Sequence, residues 1–191
     1  MLLGHGGAGK TTVAEALALV TGTTKRMGKV PEGTTISDYD KEEQKRQFSI
    51  STSVVPVEFE DIKINFLDTP GYFDFVGEVE EACHAAGAAV IVINGKSGVE
   101  VGTLKAWELC EKYKLPRLFF VTGMDDDQAS YRKIVLELND RFGRKVAPFH
   151  VPIRENEKFV GFVNVVKMKG RRFINDTSEY EECDIPDYMD K

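Results

Sequence analysis

Eight consecutive residues near the start of the chain, Gly4-His5-Gly6-Gly7-Ala8-Gly9-Lys10-Thr11, leave it little choice of fold. They fit G-x-x-x-x-G-K-[ST] and follow the apolar run "MLL". They lead into Val13, Ala16, Leu17 and Val20, spaced along one face of a helix. A strand, a glycine-rich turn and a helix in that order turn backbone N–H groups inward around phosphate oxygens, and the helix N-terminus adds positive potential. The cradle runs from His5 through Gly6, Gly7, Ala8, Gly9, Lys10 and Thr11 to Thr12. Lys10 is placed to pair with β- and γ-phosphates and the Thr11 hydroxyl to bind Mg²⁺. His5 sits where such a loop uses only backbone, so it is read as a binding position and not a catalyst. The motif implies a nucleoside triphosphate and is silent on the base.

The remaining pattern suits an α/β architecture. Phe75, Val79, Cys83 and Ala86 repeat the helical spacing, as do Tyr131, Ile134, Val135, Leu138 and Phe142, and a further helix is predicted from Val101 to Tyr113. Between them lie "KINFL", "AAVIVI" and "PRLFFV", apolar on both faces as buried parallel strands are. "VVPVEF" alternates and carries Pro56, which suits a sheet edge. The expected fold is therefore a P-loop NTPase, a mostly parallel sheet flanked by helices. From Thr21 to Thr52 no period is sustained, and a segment that long without structure of its own is usually functional or mobile. After Pro152 the pattern turns to strand-like "KFVGFVNVVKM" and "RRFI", then to an acidic tail, "DTSEYEECDIPDYMDK".

Composition bounds the partners. A formal net charge of −6 argues against binding free DNA by bulk electrostatics. The longest apolar run, Ala85 to Ile93, is far short of a membrane span. Three cysteines without a C-x-x-C pair and no signal peptide point to a reduced, cytoplasmic protein. The segment from Lys25 to Arg46 carries six basic and five acidic residues, the mixture of a solvated loop.

A second motif narrows the chemistry. In "INFLDTPGYFDF", Asp68 ends a predicted strand, where P-loop hydrolases place the carboxylate that holds Mg²⁺ through water. Gly71 completes D-x-x-G and is placed to offer its N–H to a γ-phosphate. Together with these two motifs, the stretches "GHGGAGKTT", "KEEQKRQFSISTS", "FLDTPGYFDFVGEVEEA", "NGKSGVEVGTLKAWE" and "VVKMKGRRF" resemble elongation factor G and its tetracycline-resistance-like relatives, most of all a divergent elongation-factor-G-like branch. The resemblance covers essentially the whole chain in order. It implies a translation-factor GTPase domain that binds GTP/GDP and Mg²⁺, is stimulated by the large ribosomal subunit, and acts as a monomer. It further implies that residues 1–151 form the GTPase domain, incomplete at its end, and that 152–191 begin the family's β-containing insertion subdomain, so the chain reads as a fragment of a longer factor. By position, Ser49 falls at the first-switch threonine that contacts Mg²⁺ and the γ-phosphate, Phe48 at the apolar gate beside the attacking water, and Asp125 at the aspartate of the Asn-Lys-x-Asp guanine motif.

Besides serine for threonine at position 49, the sequence departs from the family at four places. Tyr72 stands where the resemblance implies the water-positioning histidine; a phenol of ordinary pKa about 10 donates a hydrogen bond but is a poor base at neutral pH. Tyr72 either orients water or packs beside Phe73. Thr122-Gly123-Met124-Asp125 replaces Asn-Lys-x-Asp, which implies guanine preference kept through Asp125 and affinity weakened. Gly7 lacks the aspartate linked in the family to monovalent-cation binding. Gly6 lacks the family's bulky side chain, leaving Phe48 alone to close the gate. Two readings follow, a ribosome-stimulated GTPase and a nucleotide-dependent ribosome-binding module with little turnover. A P-loop small-molecule kinase would leave the paired switch motifs unexplained.

Overall fold

The protein was described from a computed structural model, which covers residues 1–143, 145–156, 158–174 and 179–189. Two compact units account for them, one built from 1–94 and 99–122, the other from 95–98 and 123–191.

In the first unit the chain runs β1 (Leu2–Gly4), α1 (Lys10–Val20), α2 (Lys41–Arg46), β2 (Ser53–Phe59), β3 (Ile62–Asp68), α3 (Val76–Ala85), β4 (Ala89–Asn94), α4 (Val101–Tyr113) and β5 (Arg117–Thr122). The sheet order is β2-β3-β1-β4-β5. β1 lies parallel to β3 and β4, β4 parallel to β5, and β2 antiparallel to β3. This is the mostly parallel, helix-flanked P-loop sheet read from the sequence. β1 is short but central, and its alternation sends Leu3 to one face and Leu2 to the other. Leu3 packs with Ile91, with Val79 and Cys83 of α3, and with Ala106 and Cys110 of α4. Leu2 packs with Val55 and Val57 of β2 and with Ala14 and Ala18 of α1. Full burial of each leucine contributes about 1.5–3 kcal/mol, which anchors the strand from which the phosphate loop departs. Gly4, Asp68, Asn94 and Thr122 all end their strands, so parallel pairing gathers them at one edge of the sheet, where open α/β sheets bind ligands.

Four expectations are corrected. α1 buries Ala14 and Ala18, with Val13 packed beside them, and Val20 is 76% exposed; the helix lies close over the sheet, so small residues hold the centre of its inward face and the predicted stripe is only partly inward. β3 and β5 are not covered on both faces. Ile62 and Ile64 stand on a two-stranded extension of β2 and β3, and Leu118 and Phe120 on an edge strand. The polar segment is not structureless, for it holds a 3₁₀ turn at Val30–Glu32 and α2. Asp40 caps α2 and shares a capping box with Glu43, a D-x-x-E signature legible in the sequence.

In the second unit α5 (Tyr131–Phe142) starts at a Ser130 cap and buries Ile134 and Leu138. β6 (His150–Glu155), β7 (Lys158–Asn164), β8 (Lys169–Phe173) and β9 (Tyr180–Cys183) form an antiparallel sheet in that order. The run "KFVGFVNVVKM" is one strand only as far as Asn164, whose side-chain oxygen accepts from Val166 and Lys167 N–H and turns the chain. "YEEC", within the acidic stretch, is β9 and not tail; positions 176–178 and 190–191 of that stretch lie outside the described residues. The compact units divide at 122/123, whereas the subdomain expectation divides at 151/152, because α5 and the loop before it group with the second sheet.

Candidate functional site

The site is built on the first unit, where β1 ends and the chain must turn into α1. Gly9, at the helix N-cap, holds φ 93°, and its carbonyl accepts the Val13 N–H at 2.9 Å. Ala8 N–H closes the turn on His5 O. Thr122, from the end of β5, donates its hydroxyl to Ala8 O at 2.8 Å and braces the loop from below. Thr122 stands at the asparagine position of Asn-Lys-x-Asp, and its hydroxyl supplies this tie to the loop.

Lys10 is 7% exposed, and its Nζ donates to the carbonyls of Gly4 (3.2 Å) and His5 (3.0 Å). Burial pulls its pKa down to about 8 against the pull of Asp68 and Asp38. Thr11 donates its hydroxyl to Asp68 Oδ2 at 2.8 Å and lies 3.3 Å from Ser49 Oγ, which donates to Asp38 Oδ1 at 2.7 Å. Burial pushes the Asp68 carboxyl up to about 6, with the Ser37 and Thr11 hydroxyls and Lys10 opposing, and burial also raises Asp38. Asp68 Oδ1 and Asp38 Oδ2 are buried and make no hydrogen bond of good geometry, although the Ser37 hydroxyl lies beside Asp68 and the Thr35 hydroxyl beside Asp38. Two orphaned carboxylate oxygens beside two hydroxyls are hard oxygen donors, too few to cage a cation alone and suited to one that keeps waters and takes phosphate oxygens, as Mg²⁺ does. The residues present therefore fit the group expected.

Gly71 packs against Gly6 and Lys10, in a cleft of about 240 Å³ lined also by Thr12, Asp38, Phe48, Ser49 and Tyr72. Tyr72 is 46% exposed, and its ring lies 4.7 Å from that of Phe48. A Cβ built on Gly6 would come within 3.1–3.3 Å of three carbons of the Tyr72 ring. Absence of a side chain at position 6 and presence of a large ring at 72 are thus one spatial arrangement, and the apolar cover over the loop is Phe48 with Tyr72 instead of Phe48 alone.

His5 contributes its carbonyl to Lys10 and Ala8, and its ring meets Phe73 edge-on at 6.1 Å while Nε2 lies 3.6 Å from Glu100. Asp125 lies in the turn after β5, in the second unit. Asp126 belongs to that same turn, where it accepts the Gln128 N–H at 2.8 Å, so it and Asp127 are turn residues and not the first turn of α5.

Sequence reasoning missed four carboxylates. Asp38 reaches the cleft from a stretch without a motif. Glu15 accepts from Gly28 and Ile36 N–H; Glu43 from Asp40, Ile50 and Ser51; Glu78 from Thr52. Only the capping box of Glu43 left a sequence signal.

Comparison with known proteins places this geometry. Residues 1–183 match the family model described as the elongation factor Tu GTP binding domain. The chain is 36% identical over 188 residues to elongation factor G of Chlamydia caviae, covering 97% of this chain and 27% of that protein. It is 36% identical over 168 residues to the mitochondrial ribosome-releasing factor 2 of Drosophila melanogaster, covering 88% and 23%. A crystal structure of a Thermus thermophilus protein superposes with a TM-score of 0.92 at 38% identity, over 98% of this chain and 28% of that one. The chain spans about a quarter of the length of these relatives.

Proposed function

This chain belongs to the elongation factor Tu GTP-binding domain family, among its elongation-factor-G-like members, and from that premise we propose that it binds GTP with Mg²⁺ and hydrolyses the β–γ phosphoanhydride in a ribosome-stimulated step of protein synthesis. The observation that carries the reading is the convergence on Thr11 of Ser49 and Asp68, with Lys10 beside them, from three separated stretches of chain.

In this reading Lys10 exchanges the carbonyls of Gly4 and His5 for β- and γ-phosphate oxygens, whose negative charge offsets its burial and holds it protonated. Thr11, Ser49 and, through water, Asp68 would hold Mg²⁺, which supplies neutralising charge at the phosphates. Gly71 offers its N–H to the γ-phosphate. Water attacks the γ-phosphorus in line, the bond to the β–γ bridging oxygen breaks, and GDP and phosphate leave. Phosphoryl transfer needs positioning and charge stabilisation more than a strong base. Tyr72 therefore serves as a donor that orients the water, while its ring and Phe48 keep bulk solvent out. Asp125 gives preference for guanine by accepting from N1–H and the 2-amino group, with affinity lowered by the missing lysine and asparagine. Residues 152–191 are assigned to the start of the insertion subdomain, the large ribosomal subunit is the activator, and the compartment is the cytoplasm. No described helix is long and apolar enough to cross a membrane.

The deciding experiment is GTP turnover by the complete factor, with and without ribosomes, at saturating nucleotide. Strong stimulation is expected. Unstimulated samples in which GTP binding is confirmed would instead mark a nucleotide-dependent ribosome binder.

A further inference from the structure

Glu15 is a fully buried carboxylate on α1, one helical turn after Thr11, and the nucleotide chemistry above does not use it. Its oxygens are taken up by main-chain donors far along the chain, Oε2 by Gly28 N–H at 2.7 Å and Oε1 by Ile36 N–H at 2.5 Å. Those two amides are the neck of a small lobe. Inside it Lys29 N–H donates to Thr34 Oγ1 at 3.0 Å, and the 3₁₀ turn at Val30–Glu32 makes the bend. Gly28 is the residue that fits the neck, because any Cβ there would overlap the Thr34 carbonyl and lie 2.8 Å from Glu15 Oε2.

Beyond the neck the chain goes directly to the cleft. Ser37 O accepts the Ser53 hydroxyl at 2.6 Å, and Asp38 takes the Ser49 hydroxyl, which meets Thr11. The path closes on itself through Thr11, Ser49, Asp38, Ile36 and Glu15, and back to Thr11 along one turn of α1. We propose that Glu15 is a positioning residue, a clasp that ties the 28–36 lobe to α1 and thereby sets Asp38 and Ser49 at the cation end of the cleft. Opening the clasp frees the segment locally and lets bound nucleotide escape. The clasp itself follows from geometry alone, and only its effect on nucleotide rests on the function proposed above.

The segment supplies its own reporter, since Lys25, Arg26, Lys29, Lys41, Lys45 and Arg46 are tryptic sites. Glu15→Gln puts an amide NH₂ against one of the two N–H donors and leaves a buried donor unsatisfied, which is expected to raise native-state tryptic cleavage between 25 and 46 by on the order of tenfold. Val57→Ala is the control, because it removes core packing near α1 without touching the lobe. Selective cleavage in Glu15→Gln supports the clasp. Equal cleavage in both variants at matched loss of Tm, or no increase in either, overturns it. If Glu15→Gln does not fold, hydrogen exchange on the unaltered protein decides: the Gly28 and Ile36 amides must be protected well beyond those of Arg26 and Met27, and free exchange at both overturns the clasp. The nucleotide arm measures release of a fluorescent GDP analogue, with Mg²⁺ present, from the complete factor. Glu15→Gln should speed it by on the order of tenfold, and unchanged release alongside raised cleavage overturns the positioning role. Failure of the unaltered protein to bind GDP would refute the nucleotide reading, and the cleavage and exchange measurements would still judge the clasp.

Discussion

The phosphate loop, residues 4–12, and the segment 21–52 line the same cleft, yet they are held by different forces. The loop is short, and its shape follows from backbone geometry: a left-handed Gly9, a helix that begins at Lys10, and carbonyls that Lys10 and Thr122 hydrogen-bond. The segment is long and mostly irregular. It is fastened by carboxylates that accept main-chain N–H groups, Glu15 from α1, Glu43 from within and Glu78 from α3. A buried carboxylate that accepts two or three N–H bonds can hold a loop without regular structure, and each such bond contributes about 1.5–3 kcal/mol. The loop is held by its own backbone, whereas the segment is held by a few side-chain contacts that single substitutions can remove.

That contrast can be broken. Lys10→Ala should weaken GTP binding by on the order of a thousandfold, read by calorimetry, and leave tryptic cleavage of the segment in the nucleotide-free protein unchanged. Coupled loss of both would mean the two regions are one cooperative unit. Asp68→Asn should stabilise the nucleotide-free protein. Asp68 is pushed up to about 6 in the folded chain, above its ordinary value of 3.8, so the folded state binds more protons between those values and stability falls as pH rises through that window. Removing the charge should raise the nucleotide-free protein's stability at pH 7 by about 2–3 kcal/mol and flatten the 4-to-6 region of its denaturation profile, while Mg²⁺-dependent nucleotide binding is lost. A destabilised Asp68→Asn protein at pH 7 would refute this account of the site.

The next test concerns the cover between the two regions. Tyr72→Ala should lower ribosome-stimulated kcat by on the order of a hundredfold with little change in KM. Gly6→Val should do the same by expelling the Tyr72 ring, and the double variant should be no worse than either single one, as contacting residues behave in a mutant cycle. Additive losses would show that Gly6 and Tyr72 are unrelated. The smallest effect is expected from Asp40→Ala, which removes the α2 cap and costs about 1 kcal/mol. It should loosen the segment in hydrogen exchange and leave the phosphate loop untouched.

Much of this was legible beforehand because it is local. The phosphate loop, the ends of α4 and α5, the edge position of β2 and Asp68 at the end of β3 each follow from a motif or a period within a dozen residues. The inward face of α1 was not legible, since the close approach of a helix to a sheet rewards Ala14 and Ala18 over the larger Val20. Nor were the bare faces of β3 and β5, because apolar composition does not tell an edge strand from a central one.

By itself, then, the sequence determined the glycine-rich loop and the α/β order of the first unit, because glycine, lysine and threonine at fixed spacing act through neighbouring backbone. Only the tertiary structure decided that Tyr72 lies over Gly6, that Thr122 braces Ala8, and that Glu15 gathers Gly28 and Ile36. Those contacts join residues 13 to 114 positions apart, and a buried polar group takes whichever partner the packed chain brings to it, with no period or motif to announce the choice.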